Sequence, residues 1–279
     1  MARSLRILII LSLLAGIPIY AVLRADSYLL RYQFKEGNID KYSIDLTLVA
    51  SGAASEEGIP SVPIHGGGRN VVKVAKVNPD GSALIVETLE NFQFRGKPSS
   101  DAPQMSRYKV SPRGDTTQVG ESRGSSSLAF GDPSALARLT TYLPEAPVKQ
   151  GDSWTVTARN PIGGTGTVTA TGKFFKMERV DGVDTVRIHQ TYTIPLTMNM
   201  FAPGTKTVFR STGKMKIAGA INFDPKAGRV VRTSITGAGV FSLALPGAAK
   251  PKPVKGNKQI PVQEPTYKLK VEVISTLLR

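Results

Sequence analysis

The sequence contains no cysteine and only two histidines among its 279 residues. Without cysteine, the chain can have neither a disulfide framework nor a lipid-modified N-terminal cysteine. The two histidines, His65 and His189, are too few for a typical zinc or copper site, and no carboxylates with metal-ligand spacing accompany them. We therefore expect no metal and no other cofactor.

The first 25 residues have the pattern of a secretory signal. Arg3 and Arg6 precede an apolar run over Ile7–Leu23, which is slightly short for a spanning helix of about 20 residues. We predict export to the periplasm or beyond, with cleavage after Ala25. An uncleaved signal anchor is the alternative, because the positive charge of Arg24 is unusual beside a cleavage site.

Acidic residues are scarce. The chain has 21 aspartates and glutamates against 36 lysines and arginines, a formal net charge of +15 at pH 7. Such a surface favours anionic partners, and for an exported protein these are lipid headgroups or acidic glycans and not nucleic acid. The other interpretation is that the charge serves solubility alone.

Helical periodicity is rare, whereas many segments alternate apolar and polar residues with the period of a β-strand. The predicted strands are Tyr28–Lys35, Tyr42–Val49, Asn70–Val77, Ala83–Phe94, Lys173–Val180, Asp184–Thr193, Thr205–Phe223, Arg229–Leu245 and Tyr267–Ile274. Residues typical of tight turns predict hairpin connections at Asn78–Gly81, Ser111–Gly114, Asp181–Gly182 and Asp224–Gly228.

The longest predicted strands indicate a strongly bent sheet. Thr205–Phe223 places Met215 and Ile217 on one face and Lys214 and Lys216 on the other. Bends or bulges are expected at the glycines of this strand and its partner, which are Gly213, Gly219, Gly237 and Gly239.

One helix is predicted, with Asp132 as its N-cap, Pro133 as its first residue, Ser134–Leu143 as its body and Pro144 as its stop. We expect a mainly β protein with long curved antiparallel sheets, half-barrel or sandwich-like, in two β-rich halves with this helix between them. The predicted organisation is a signal peptide over 1–25, an N-terminal half over 26–131, the helix over 132–144 and a C-terminal half over 145–279. Residues 98–105 and the Pro/Lys-rich stretch 246–265 are predicted loops.

A serine-hydrolase motif is present without its structural setting. Ser122 lies in the G-x-S-x-G stretch of VGESRG, and His65 begins HGGG, which resembles an oxyanion-hole loop. A nucleophile elbow requires a strand before the serine and a helix after it, whereas Gly124–Ser127 is poor helix material. We interpret both glycine-rich stretches as surface loops and His189 as a structural residue of a strand, so we expect no catalysis and no catalytic residue.

Two groups of residues are candidates for binding. Pro195–Gly204 is interpreted as a hairpin connection whose apolar side chains form either the lip of a lipid cavity or part of the core. The lysines suit anionic headgroups or polymers, although solvated charge in a flexible loop is the preferred interpretation of those in the stretch 246–265. The candidates are Met198, Met200, Phe201, Lys214, Lys216, Lys250 and Lys252.

Three blocks, LLRYQFKEGNIDKYSIDLTLVASG, LPEAPVKQGDSWTV and INFDPKAGRVVRTSITGAG, are similar to blocks of uncharacterised exported bacterial β-proteins. The likeness covers turn and strand residues and implies no catalytic site. More loosely, long curved strands resemble the half-barrel carriers of periplasmic lipids and lipoproteins, which implies a cavity. We expect non-catalytic binding of an amphiphilic or anionic envelope component; the alternative is a structural or assembly subunit that contacts another envelope protein, and a serine hydrolase is a distant third.

Overall fold

The computed structural model describes residues 26–52, 63–94, 96–98, 103–120, 141–160, 166–201, 208–244 and 266–279. Every regular element in these ranges is a β-strand, and the ranges contain no helix. The strands are β1 (Ile39–Gly52), β2 (Ile64–Val77), β3 (Ala83–Phe94), β4 (Lys97–Pro98), β5 (Gln104–Val110), β6 (Thr116–Gln118), β7 (Ser153–Arg159), β8 (Thr167–Val180), β9 (Val183–Phe201), β10 (Val208–Asp224), β11 (Arg229–Ala244) and β12 (Thr266–Leu278).

All twelve strands belong to one antiparallel sheet. Its order is β6-β5-β3-β2-β1-β12-β11-β10-β9-β8-β7, and the short β4 pairs with β3 beside this path. The sheet curls until it is nearly closed into a barrel, so that inward residues of β1 and β3 belong to the same core as those of β7 and β8. The prediction of a mainly β fold is confirmed, with one continuous sheet instead of a sandwich.

The first and last strands join the two β-rich halves of the chain. β1 pairs with β12 along twelve residue pairs, from Lys41 with Leu278 to Gly52 with Tyr267. Strands β1–β6 and β7–β12 consequently form one sheet and share a core.

The core follows from the alternation of the long strands. Met215 and Ile217 on β10 and Leu269 and Val271 on β12 are buried, while the lysines between them are exposed. These residues face the inside of the sheet with the aromatic ring of Phe241, which stacks on Tyr267 at 5.5 Å between ring centroids. The predicted division of these strands into a buried and an exposed face is confirmed.

The four predicted turns are confirmed. They connect β2 to β3, β5 to β6, β8 to β9, and β10 to β11. Asp181 and Gly182 both have positive φ, 48° and 76°, as a two-residue hairpin turn requires. Because these turns join strands at the same end of the sheet, they form one rim of the fold.

The segment predicted as a strand over Tyr28–Lys35 does not join the sheet; within the described residues its only strand-like pairing is a single bridge between Tyr28 and Val148. It instead lies across the rim of turns. Its backbone amides donate hydrogen bonds from Tyr32 to the Pro112 carbonyl at 2.8 Å and from Gln33 to the Gly228 carbonyl at 3.0 Å. The alternation was correct, since Leu30 is fully buried and Leu29 is exposed, but the partners are turns and not a neighbouring strand.

Gly228 permits this close packing. Its φ is +61°, and a Cβ at this position would lie 2.4 Å from the backbone nitrogen of Gln33. A larger residue would therefore both strain the turn and displace the N-terminal segment.

The predicted helix is not seen. Residues 134–140 lie outside the described ranges, and Thr141–Leu143, its last three residues, are buried without helical structure. Tyr142 instead packs inside the sheet, with its ring edge-on to Tyr192 at 5.7 Å. Pro144, expected as a helix stop, has a carbonyl that accepts a hydrogen bond from Arg31.

One irregularity in the pairing of the longest strands lies away from the glycines predicted as points of bending or bulging. In β10 and β11 the register shifts at Asn222 and Phe223, not at a glycine. Gly213 and Gly239 have another role, because the ring of Phe241 occupies the space that a Cβ would need at either position.

Candidate functional site

Four exposed lysines of the outer sheet surface surround two small apolar residues. We call this set the lysine face: Lys214 and Lys216 on β10, Ala238 and Val240 on β11, and Lys268 and Lys270 on β12. Val240 lies opposite Lys214 on one side and Lys268 on the other, and Ala238 lies opposite Lys216 and Lys270 in the same way. The face therefore has two rows with the composition lysine, apolar residue, lysine.

Strand geometry fixes the dimensions of the face. Neighbouring strands lie about 4.8 Å apart and alternate residues along a strand about 6.7 Å apart, so the four lysine Cα atoms form a rectangle of about 10 by 7 Å. The central strand contributes short side chains, and Val240 is 55% exposed. A shallow depression of about 640 Å³ lies over β10 and β11, where Lys214, Lys216, Ala238 and Val240 line it together with hydroxyl side chains such as Thr193 and Ser242.

The positive charge of the lysine face is not neutralised locally. Within the described part of the chain, none of its four lysines forms an ion pair. The nearest acidic residue in sequence, Glu272, belongs to the next row, where it lies opposite Thr236. An anion placed over Val240 would consequently meet cationic side chains on both sides.

The structure brings together only some of the predicted binding residues. Lys214 and Lys216 are exposed beside each other, as expected. Met198, Met200 and Phe201 were expected in a hairpin connection, but their backbone belongs to β9 and pairs with β10. Pro195–Gly204 is therefore strand up to Phe201, and the side chains of these three residues lie outside the described part.

Lys250 and Lys252 lie outside the described ranges, as does the whole predicted loop 246–265. The predicted loop 98–105 is partly strand, because β4 includes Pro98 and β5 begins at Gln104.

Both histidines lie in strands of the sheet. His65 and Gly66–Gly68 are part of β2 and not of a surface loop, and His65 Nδ1 lies 3.1 Å from the Thr47 hydroxyl. His189 belongs to β9, as predicted, and stacks on Phe175 with 4.4 Å between ring centroids. Burial and then the nearby charge of Arg187 lower the His189 pKa. Ser122 lies outside the described ranges, so the expectation of no catalysis stays a prediction.

No three histidine, aspartate or glutamate side chains are grouped as a metal site within the ranges described. In the same ranges no helix has the length and apolar character needed to cross a membrane.

No protein-family model matches the chain, and no curated protein matches it significantly in sequence. The resemblance to exported bacterial β-proteins and to periplasmic carriers therefore remains a prediction.

Lys268 and Lys270 were missed as binding candidates. The alternation of YKLKVEVI already placed both lysines on the exposed face of the last strand. The missing information was that β12 lies two strands from β10, with β11 between them. Only the order of the strands brings these two lysines beside Lys214 and Lys216.

Proposed function

We propose that this protein is a non-catalytic, exported binding protein whose lysine face binds the anionic headgroups of envelope lipids. The observation that carries the proposal is the pair of rows in which exposed lysines, without ion pairs to any described residue, flank Ala238 and Val240. A lysine near an anionic lipid surface contributes about 1 kcal/mol, so four contribute enough for reversible peripheral binding.

The chemistry of the lysine face favours lipid over a purely hydrophilic polymer. Val240 exposes an apolar side chain at the centre, and each lysine has an apolar stem below its ammonium group. Such a surface suits the boundary between headgroups and hydrocarbon.

Vesicle binding tests the proposal. The protein is sedimented with phosphatidylglycerol vesicles and with phosphatidylcholine vesicles, at low and at high salt. We expect binding to the anionic vesicles only, and loss of binding at about 1 M salt, where charge is screened beyond about 3 Å. Substitution of Lys214, Lys216, Lys268 and Lys270 by glutamine should weaken binding by roughly two to three orders of magnitude.

A matched control separates the lysine face from net charge. Lys41, Lys73, Lys76 and Lys149 are exposed elsewhere on the molecule, and their substitution by glutamine removes the same total charge. We expect this control to retain most of the affinity. Equal weakening in both quadruple variants would show a general effect of charge. Binding to polygalacturonate but to no vesicle would show that the ligand is an acidic glycan and not a lipid.

A structural or assembly subunit is the second candidate function. Among the described residues β7 pairs only with β8, so within those ranges the other edge of its seven residues has no strand partner. A strand from another protein could add to such an edge. Cross-linking from Thr155 or Thr157 to a second envelope protein, together with no vesicle binding, would favour this function.

A further inference from the structure

A cavity of about 190 Å³ lies inside the sheet, beneath the N-terminal segment. Tyr32 and Phe34 of that segment line it, and the opposite wall comes from β1, β2, β3 and β5. Gln33 and Asn38 also belong to the lining and are exposed, so the cavity adjoins solvent there. Since an apolar cavity of about 150 Å³ is large enough for benzene, this one has room for one six-membered ring with a small polar substituent.

Part of the strand wall is apolar. Val74 on β2 and Ile85 on β3 are each 6% exposed, and they form one hydrophobic cluster in which Phe34 and Val110 are packed. All four side chains line the cavity. Removal of apolar carbon atoms from water against these side chains is favourable, so we expect the body of a ligand to be hydrocarbon.

One buried acceptor of the lining has no donor. The side-chain nitrogen of Asn70 donates a hydrogen bond to Glu87 Oε1, and because a carboxylate only accepts, this bond fixes the orientation of the amide. Asn70 is 6% exposed, and its Oδ1 atom is buried with no hydrogen-bond partner among the described residues. An acceptor that is buried without a donor is unfavourable, so a ligand that supplies a donor would be favoured.

A buried donor lines the same cavity. Arg229 Nη1 donates to Asp40 Oδ1 at 2.8 Å, whereas Arg229 Nε is buried and has no acceptor among the described residues. Asp40 is thus paired, and Glu87 takes part in a further interaction besides its bond with Asn70, so neither carboxyl group depends on a ligand for a partner. A neutral hydroxyl group both donates and accepts, and its burial costs far less than that of a charge.

Aromatic rings complete the wall. The rings of Tyr32 and Phe34 are parallel, with centroids 5.8 Å apart, and Tyr32 is also edge-on to Phe223 at 5.4 Å. The hydroxyl group of Tyr42 donates a hydrogen bond to the Val230 carbonyl at 3.1 Å, which fixes the position of its ring. Offset-stacked and edge-on pairs of rings are favourable beyond the burial of their area, so these walls favour an aromatic ligand.

We propose that this cavity binds a small neutral phenol, whose hydroxyl group donates to Asn70 Oδ1 and whose ring packs against Tyr32 and Phe34. The site lies inside the sheet and is separate from the lysine face on the outer surface. The ligand class follows from three features together: room for one ring, a buried acceptor and a buried donor without partners among the described residues, and aromatic walls.

Fluorine NMR with 4-fluorophenol tests the proposal, with 4-fluorotoluene as a probe in which a methyl group of similar size replaces the hydroxyl group. We expect 4-fluorophenol to bind with a dissociation constant of about 1 mM or lower, and 4-fluorotoluene to bind at least about fivefold more weakly. Cyclohexanol keeps the hydroxyl group without the aromatic ring. It should compete with 4-fluorophenol at least about twofold less effectively than phenol does.

Asn70→Leu removes the acceptor and keeps a side chain of similar size. It should weaken the binding of 4-fluorophenol by about fivefold or more and change that of 4-fluorotoluene by less than about twofold, so that the preference for the phenol is lost. Gln93→Leu is the matched control, because Gln93 is an exposed amide side chain of β3 outside the cavity lining. We expect it to change both affinities by less than about twofold.

A readout on the unaltered protein keeps the proposal testable if Asn70→Leu does not fold. The side-chain amide resonances of Asn70 should shift more on binding of 4-fluorophenol than on binding of 4-fluorotoluene. No binding of 4-fluorophenol at about 5 mM would overturn the proposal. Equal affinity for the two fluorinated probes, equal competition by cyclohexanol and phenol, or an unchanged preference in a folded Asn70→Leu protein would overturn it as well. Vesicle binding tests the lysine face independently, so either proposal can fail alone.

Discussion

Asn222 on β10 donates a hydrogen bond of 2.7 Å to the Glu178 carboxylate on β8, across the intervening strand β9. β9 takes part through Thr185, whose hydroxyl accepts a hydrogen bond from Asn222 at 3.1 Å, and through Arg187, which donates to Glu178 at 3.2 Å. Lys176 adds an ion pair of 2.7 Å. Three strands of the sheet are thus linked by one carboxylate.

This carboxylate should make stability depend on pH in acid. The hydrogen bond from Lys176, the hydrogen bond from Asn222 and the charge of Arg187 lower the Glu178 pKa from 4.5 to about 2. Because the folded pKa lies below the unfolded one, the stabilisation is present above pH 4.5 and is lost as pH falls towards 2. Glu178→Gln should cost about 1–2 kcal/mol of unfolding free energy at pH 7 and little at pH 2.

Urea denaturation at several pH values measures this effect. Asp184→Asn is the control, because Asp184 is exposed and lies 3.9 Å from Arg179. It should change the unfolding free energy by less than about 0.5 kcal/mol at pH 7. A Glu178→Gln penalty that is the same at pH 7 and pH 2 would contradict the assignment.

Gly172 should not tolerate a side chain. A Cβ there would lie 2.4 Å from Cε2 of Trp154, whose indole nitrogen donates a hydrogen bond to the Tyr142 carbonyl at 3.0 Å. Gly172→Ala should displace the ring, cost about 1–3 kcal/mol and change the fluorescence of the chain's one tryptophan. Gly219→Ala, where the nearest atom is Ile235 Cγ1 at 3.2 Å, should leave the emission unchanged. An unaltered emission spectrum in Gly172→Ala would show that the ring does not occupy this position.

Two adjacent leucines test the packing of the N-terminal segment. Leu30 is fully buried in a cluster with Phe174, Val186 and Phe223, whereas Leu29 is 54% exposed. Leu30→Ala should lower the unfolding free energy by about 2–5 kcal/mol, and Leu29→Ala by less than about 0.5 kcal/mol. Thermal denaturation of both variants tests this prediction. Equal melting temperatures would mean that Leu30 does not pack against the buried residues of the sheet.

Ser122→Ala tests the hydrolase motif. Since β2 contains Gly66–Gly68, the supposed oxyanion-hole glycines are in a sheet strand and not in a loop before a helix. We expect no esterase activity with p-nitrophenyl acetate in either the unaltered or the substituted protein beyond the buffer rate. Hydrolysis that disappears in Ser122→Ala would refute the prediction.

Local chemistry made the strands and turns predictable. The alternation around Met215 and Ile217 and the Asp181–Gly182 turn depend only on neighbours in sequence, and both are confirmed. The path of Leu30 and Tyr32 could not be predicted, because an amphipathic extended segment alternates in the same way whether it pairs in a sheet or crosses its end. The helix prediction relied on the cap and stop residues Asp132 and Pro144, which describe a chain's local preference and not its tertiary packing.

For the binding residues too, some positions could be predicted from one strand, whereas others depend on which strands pair. Lys214 and Lys216 are visible on a single strand, whereas their proximity to Lys268 and Lys270 depends on which strands pair. The burial of Glu87 could have been suspected from the sequence, because Glu87 occupies an inward position of ALIVETL where the alternation predicts an apolar residue. Its hydrogen bond with Asn70 could not be inferred, since it requires the register of β2 against β3.

The pairing of β1 with β12 has a consequence for the order in which the chain assembles. Ser43 and Thr276 are neighbours in the sheet although they are 233 positions apart in the sequence. Closing a loop of that length costs about 2 kcal/mol more than closing one of about 20 residues. The hairpins of each half can form as soon as they are synthesised, but the pairing of β1 with β12 must wait for the thirteen residues of β12. A polypeptide that stopped before Thr266 would leave β1 and β11 as two open edges, ready to pair with another chain.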